Sequence, residues 1–572
     1  MTSANRDAVD LLIRGTVVDV NTGTLRESPV AIDDGEIVAL AERPARRELE
    51  TAYIAPGLID AHVHVESSMV TVPRYGAAVL PRGVTTIVTD PHEIANVCGV
   101  AGVRGMMEDA ERTPLKARFT VPSSVPASHL QDAGAELGVE AVADLLDAEK
   151  TVALGEVMNI PGLCAGDETV HGKIAAARER GLTVDGHAPQ VTGDTLQTVA
   201  RYLDNDHEST TREEAIAKLQ LGMRVYMREG SCSQDLDALV ELVTDDAVDS
   251  RRLSLCSDDR DVVDLVELGS VDYALARAIE HGVDPVEAVQ LATLNTAESY
   301  GLPTGRIEPG APADLVLLDS LETWDVARVL VDGTVVADGD SVTEEVRTES
   351  DRGETTIPTG TVTFETVTPD AVALAYDGDG PVTVRVIDAV DRLQTRTMTG
   401  EVPVTEGAAG TAVLGANIEA DIVPVSVIER HGHGGIGNGF VHGFGLERGA
   451  VGTTVAHDAH NCLVAGPDHE AMARVANHLR DIGGGVAAFD PKTDSLTSLS
   501  LPVGGLMSDD PLGTVNEEFE RVQESARDIG LSHPAGVHGL TFLALEVIPE
   551  LRLTNRGLVD VTTFDYVDVI VE

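Results

Sequence analysis

Between residues 54 and 300 one pattern repeats along the chain: a short apolar strand, a loop, then a helix. The strand candidates are YIAPGLIDAHVHV, VTTIVTD, ARFTV, TVALGEV, LTVDGH, RYLDNDH, MRVYMRE and RLSLCSD. Helical stretches such as VEAVADLLDAEK, GKIAAARERG and REEAIAKLQLG separate them, with apolar residues three and four apart. Strands that alternate with helices pair in parallel. Eight such units in roughly 240 residues fit a TIM-type (β/α)8 barrel within an α/β chain. RYLDNDH is placed by spacing alone, because its charged residues make a poor strand.

β-rich pieces lie on both sides of this block, LLIRGTVVDV and PVAIDDGEIVAL before it, APADLVLLD and VARVLVDGTVVADG after it. They predict one small sandwich-like β domain built from residues 1–55 and 303–348 around a barrel of residues 56–302. DRGETTIPTG is polar, with glycine and proline, and reads as a linker. Residues 360–572 then form an additional C-terminal α/β domain.

The charge narrows the partners. With 95 acidic and 41 basic residues the formal charge is −54, spread evenly, and the only lysines are at 116, 150, 173, 218 and 492. Nucleic acid and membrane surfaces are excluded as partners, since both need a basic face. Acidic chains with few aromatics can be disordered, but this one alternates apolar strands with amphipathic helices. The composition fits a folded enzyme kept hydrated by carboxylates at high salt, a halophilic pattern. No stretch approaches the ~18 consecutive apolar residues of a membrane span. The opening MTSANRDAVDLLIRGTVVDV lacks the basic start and apolar core of a signal peptide, so a cytoplasmic location is expected. Cys98, Cys164, Cys232, Cys256 and Cys462 are far apart and include no C-x-x-C, which excludes a cysteine-rich zinc site and a disulfide framework.

Barrel enzymes carry their chemistry on the loops that follow the strands. His62-Val63-His64 ends the first strand, and the period of two sends both imidazoles to one face. Glu156 ends the fourth strand, His187 the fifth, His207 the sixth and Asp258 the eighth. Four imidazoles and two carboxylates suit two divalent ions that share a bridging carboxylate. Singly, each has an ordinary reading: a histidine at a strand end is usually just polar, Glu156 a salt-bridge partner, Asp258 a helix N-cap. Six ligand-type residues at the ends of five strands outweigh those readings. A second set, His431, His433, His442, His457 and His460, falls in the C-terminal part. There the glycine-rich HGHGGIGNGFVHG reads as tight turns rather than a second metal centre.

The stretches APGLIDAHVHVESSMV, GVTTIVTDPHEIANVCG, LGEVMNIPG, VDGHAPQ, DNDHE, MREGS, CSDDR and ATLNTAESYGL resemble the amidohydrolase superfamily, and within it the adenine deaminases of bacteria and archaea. The resemblance continues through GRIEPGAPADLVLLD, HGFGLERGAVGTTVAHDAHN, LPVGGLMS and FLALEVIPELRLTNRGLVDV, nearly the whole chain. DPHEIANV and VDGHAP are far more specific than H-x-H, which the whole superfamily shares. The resemblance implies hydrolytic deamination of adenine to hypoxanthine and ammonia, a step of purine salvage, at two divalent ions. Manganese or iron in the +2 state is favoured and zinc is an alternative.

His62, His64, Glu156, His187, His207 and Asp258 would be the metal ligands. Glu156 takes the bridging place that a carbamylated lysine fills in many relatives, and no lysine stands at a barrel strand end. Asp258 would relay the proton. His92 and Glu93 are catalytic candidates, and Glu229, Ser231 and Asp259 are candidates for holding a purine. A homodimer is implied as well. The zinc deaminases that rely on C-x-x-C and H-x-E lack a counterpart here. The competing readings are another binuclear amidohydrolase, acting on a cyclic amide or a 6-substituted purine, and a barrel scaffold without activity.

Overall fold

The computed structural model describes residues 8–245, 248–378 and 380–571. It divides into two compact units: residues 1–91, 106–123 and 138–356, and residues 92–105, 124–137 and 357–572. The segments 92–105 and 124–137 fall inside the predicted barrel span, yet they group with the second unit.

The first unit holds the barrel. Its strands are β1 (Leu58–His64), β2 (Val84–Thr89), β3 (Lys116–Val121), β4 (Thr151–Val157), β5 (Thr183–Gly186), β6 (Asn205–Asp206), β7 (Arg224–Arg228) and β8 (Leu253–Cys256, continued at Asp258–Asp259). β1 to β5 pair in parallel in sequence, and so do β6 to β8. The ring closes where Asp258–Asp259 pairs with β1. Among the described residues no ladder joins β5 to β6. The Asp204 amide reaches the Val184 carbonyl at 2.9 Å, and the Gly186 amide reaches Asn205 Oδ1 at 3.1 Å.

β1 and β2 are buried at every position. That is the signature of parallel strands covered on both faces, and it explains why they read as near-continuous apolar runs. β6 is only two residues long because RYLDNDH cannot supply a longer apolar run. Side chains make up the missing ladder.

Strands from both ends of this unit share one nine-stranded sheet. Its centre is Ala45–Pro56, paired parallel to Val9–Asp19 and antiparallel to Leu315–Ser320. Ile13, Val17, Ile32 and Ile54 pack with Ala313, Leu315 and Leu330 in one apolar cluster, which ties residues from either end of the barrel segment together.

The second unit is β-rich. Its eight-stranded sheet runs in the order Thr395–Val402, Val382–Ala389, Ile436–His442, Ile422–Ile428, Cys462–Ala465, Ala450–Thr453, Gly485–Asp490, Ser495–Ser500. Only Val382–Ala389 and Ile436–His442 pair in parallel. Two long helices, His469–Asp481 and Leu512–Asp528, supply the α part. Asp468 caps the first by accepting from the Glu470 and Ala471 amides, and Ala471, Met472, Val475, Ala476 and Leu479 form its buried stripe. Among the described residues no helix is long and apolar enough to cross a membrane.

Candidate active site

Parallel strands deliver their C-terminal ends to one rim, and six titratable side chains meet there. On β1 the alternation of the strand buries His62 and His64 side by side, with Nε2 atoms 3.2 Å apart. The Asp90 carbonyl can only accept, so His64 Nδ1–H donates to it at 2.9 Å. That bond fixes the tautomer and leaves the lone pair of His64 Nε2 facing the cluster.

β4 positions Glu156 through a close backbone approach. A Cβ on Gly155 would lie 2.1 Å from Asp90 Oδ2 and 2.5 Å from Thr120 Oγ1, so only glycine fits there. The Glu156 amide can then donate to Asp90 Oδ2 at 2.9 Å.

The Glu156 carboxylate faces two ways. Oε2 lies 2.7 Å from His187 Nδ1 and 3.1 Å from His207 Nε2. Oε1 faces His64 Nε2 at 3.7 Å. On the His64 side Asp258 Oδ1 lies 3.1 Å from His64 Nε2 and 3.8 Å from His62 Nε2. Asp258 reaches this place from a left-handed backbone, φ 54°, just beyond the break in β8. The His62 and His207 rings stack at 4.0 Å.

Donor atoms of His62, His64 and Glu156 lie within 4.8 Å of one another, as do those of Glu156, His187 and His207. Two triads that share one carboxylate fit a pair of divalent cations in both donor chemistry and count.

The electrostatics agree with that fit. Burial pushes the Glu156 carboxyl up, but the His187 and His207 imidazoles overcome it and hold the group well below the usual carboxylate range. Burial, with His207 and His64 beside it, keeps His62 neutral by lowering its pKa well below the ordinary value. Burial also lowers His187, but Glu208 and Glu156 win and raise it to about 9. A cation at Glu156 would replace that proton.

Two charged groups next to the cluster carry no signal in the strand-end pattern. Arg228, buried at the end of β7, binds Asp258 Oδ2 at 3.1 Å and Asp235 Oδ2 at 2.8 Å, and also pairs with Glu208. Glu208 Oε1 lies 3.6 Å from His207 Nε2 and 3.8 Å from His187 Nδ1. Both residues adjoin candidates, Glu229 in MREGS and His207 in DNDHE, and that adjacency is their one sequence signal.

The remaining candidates are placed as follows. Glu229 follows β7 and is buried, and burial, against the opposing pull of Arg277, pushes its carboxyl up to about 7. The Ser231 hydroxyl bonds Asp264 Oδ2 at 2.5 Å and receives the Asp261 amide at 3.0 Å. Asp259 Oδ1 accepts from Ser67 Oγ.

His92 and Glu93 belong to the second unit. There Glu93 accepts from His457 Nδ1 and His460 Nε2, with His92 Nε2 3.3 Å away. The donor atoms of Glu93, His457 and His460 are close enough to hold an ion. However, the Ala456 amide donates to His460 Nδ1 at 3.1 Å, so the proton of that ring sits on Nε2 and the group is a hydrogen-bonded carboxylate. Of the glycine-rich stretch before it, residues 431–435 bend, with Gly432, Gly434 and Gly435 at positive φ; Ile436–His442 is a strand of the eight-stranded sheet, so the expectation of tight turns fails for that part.

The amidohydrolase family profile matches residues 53–336, and that of the adenine deaminase C-terminal domain matches residues 392–565. An adenine deaminase of Methanothermobacter thermautotrophicus is 40% identical over 556 residues, 97% of this chain and 99% of its own length. One of Nitratidesulfovibrio vulgaris is 41% identical over 579 aligned positions, 99% of this chain and 97% of its own. Among solved structures, N-acetyl-D-glucosamine-6-phosphate deacetylase from Mycobacterium smegmatis is 20% identical, covers 57% of this chain and 100% of its own, and has a TM-score of 0.45. The amidohydrolase family implies a divalent metal cofactor. With relatives of this identity over nearly its full length, the chain belongs to the adenine deaminase family of amidohydrolases.

Proposed function

We propose that this chain hydrolyses adenine to hypoxanthine and ammonia at two divalent cations, held by His62, His64 and Asp258 on one side and His187 and His207 on the other, with Glu156 between them. The observation that carries the reading is the split of the Glu156 carboxylate, one oxygen toward His64 and the other toward His187 and His207. When bound, the cations would ionise a water near neutral pH and so supply the nucleophile. Manganese or iron in the +2 state is favoured over zinc.

The chain's own groups divide the remaining work. Asp258 offers Oδ1 to the cluster while Arg228 holds Oδ2. This fixes the carboxylate where it can take the proton of the attacking water and return it to the amino group leaving C6. The atoms balance: water adds its oxygen to C6, one of its protons leaves through Asp258 with the amino group as ammonia, and the other replaces the proton given to the ring nitrogen. Glu229, with its carboxyl raised to about 7, holds a proton near neutrality and is the group of choice for donating to a ring nitrogen.

The test is ammonia release by chelated protein reconstituted with Mn(II), Fe(II) or Zn(II). Adenine, adenosine, a 6-substituted purine and a cyclic amide are compared. The proposal expects adenine to be far the best substrate and activity to require two metals per chain. Preference for the cyclic amide, or full activity with one metal or none, would overturn it.

A further inference from the structure

The second unit buries a cation that no side chain or carbonyl answers. Arg430 follows the strand Ile422–Ile428 and is 0% exposed. Nε, Nη1 and Nη2 all lack a hydrogen-bond partner among the described residues. Its backbone is pinned on both sides. The Arg430 amide donates to Asn461 Oδ1 at 3.2 Å, and the Thr363 amide and hydroxyl both donate to the Arg430 carbonyl at 3.0 Å.

The guanidinium fills the space beside Gly505 of LPVGGLMS. A Cβ there would lie 1.9 Å from Nη1, so the glycine is needed for the arginine to be accommodated. A guanidinium cannot shed its proton to escape burial. Burial lowers Arg430 only to about 10, so it is cationic at neutral pH.

The polar neighbours that could accept from it are engaged elsewhere. The Glu429 carboxylate accepts from the amides of His431, Gly432 and Gly434. His431 Nε2 bonds the Ala459 carbonyl at 2.8 Å, and His460 bonds Glu93 and the Ala456 amide. Burial pushes the Cys98 and Cys462 thiols up to about 11 and 12, so both stay neutral. Glu429 attracts the guanidinium through space but gives it no hydrogen bond, and a buried ion whose donors are unmet costs several kcal/mol. The guanidinium is thus a set of buried donors with nothing to receive them among the described residues.

We propose that Arg430 is the core of a buried anion site, taking a small inorganic anion, a halide or a tetrahedral oxyanion, that ties the turn at Gly504–Gly505 to the strand ending at Ile428. A halide would sit between Nε–H and Nη–H. An oxyanion would take the fork with two oxygens.

The experiment uses the full-length, metal-loaded enzyme. Crystals grown with bromide in place of chloride are examined for anomalous scattering. In parallel, melting is followed while chloride, or separately phosphate, replaces gluconate at constant ionic strength. The expected results are a bromide or phosphate peak on the Arg430 guanidinium and a saturable rise in Tm of roughly 2–4 °C. That rise should vanish in Arg430→Met and shift to a higher anion concentration in Arg430→Lys. Saturation by chloride but not phosphate marks a halide site, and the reverse marks an oxyanion site. A map with only water at Arg430, bromide confined to the surface as an adventitious ion only, or equal anion dependence in wild type and Arg430→Met would overturn the proposal. If Arg430→Met does not fold, the map and the Arg430→Lys titration decide.

Discussion

Glu156 is the residue on which a two-cation reading stands, because its two oxygens face different histidine sets, Oε1 toward His64 and Oε2 toward His187 and His207. Glu156→Ala removes that link. Loss of a mere outer partner of a metal ligand costs ~10–100-fold in affinity or activity, so the variant should hold clearly fewer than two metals and lose at least a hundredfold in deamination. Elemental analysis beside a melting curve checks it. Two metals retained with a lowered Tm would make Glu156 a structural residue only. Asp258→Asn keeps shape and one oxygen while removing the base, so kcat should fall by roughly 10²–10⁴. A fully metallated Asn variant with near wild-type kcat would send the proton by another route. Away from the site, burial pushes the Glu546 carboxyl up to about 7, against the Ser128 hydroxyl that donates to it at 2.7 Å. The folded state therefore keeps a proton that the unfolded chain releases near pH 4.5. Stability from this group is full below the unfolded pKa and is lost as pH rises from about 4.5 to about 7. Glu546→Gln should flatten that part of the Tm–pH curve, and an unchanged slope would place the titration elsewhere.

At the scale of elements, β6 shows how side chains replace a ladder. Lys218, from the helix Arg212–Gln220, is fully buried and bonds Asp206 Oδ2 at 2.6 Å, Glu214 Oε1 at 2.9 Å and the Ala188 carbonyl at 2.8 Å. Asp206 Oδ1 accepts from the Ala188 amide at 2.9 Å. The loops that carry His187 and His207 are thus held by one lysine. Lys218→Met leaves two buried carboxylates unpaired and should cost roughly 3–5 kcal/mol in a denaturant melt. Adding Asp206→Asn should recover part of the loss, and simple additivity of the two would argue against the coupling. Such features mark where the sequence stopped being informative. Strand-end histidines and carboxylates were legible because the period of a strand and the barrel rule put them on one rim. The two-residue β6, the break in β8 that sets Asp258 at φ 54°, and Arg228 bridging to Asp258 depend on tertiary contacts and leave no local pattern. The same holds for the mostly antiparallel C-terminal sheet, whose strand order does not follow chain order.

At the scale of the whole molecule the dominant fact is charge. Ninety-five carboxylates face 41 lysines and arginines, giving −54. Several of the basic groups, Lys218, Arg228, Arg260, Arg430 and Arg552, are buried and do nothing to break up the acidic surface. Exposed pairs such as Arg14 with Glu42 or Arg474 with Asp494 contribute little individually. Unpaired surface carboxylates therefore repel one another over a distance set by salt. The screening length is ~10 Å at 0.1 M and ~3 Å at 1 M, so self-repulsion should be strong in dilute buffer and largely removed at molar salt. Tm and activity should rise together between dilute buffer and 1 M KCl, and melting should broaden at the low end as the acidic surface swells. Screening depends on ionic strength and not on ion identity. Potassium gluconate should therefore reproduce the broad rise, and only a site-bound anion should add a chloride- or phosphate-specific step on top of it. A Tm that does not move between dilute buffer and molar KCl would show that the acidic surface is not a source of instability, and the composition would then need another explanation.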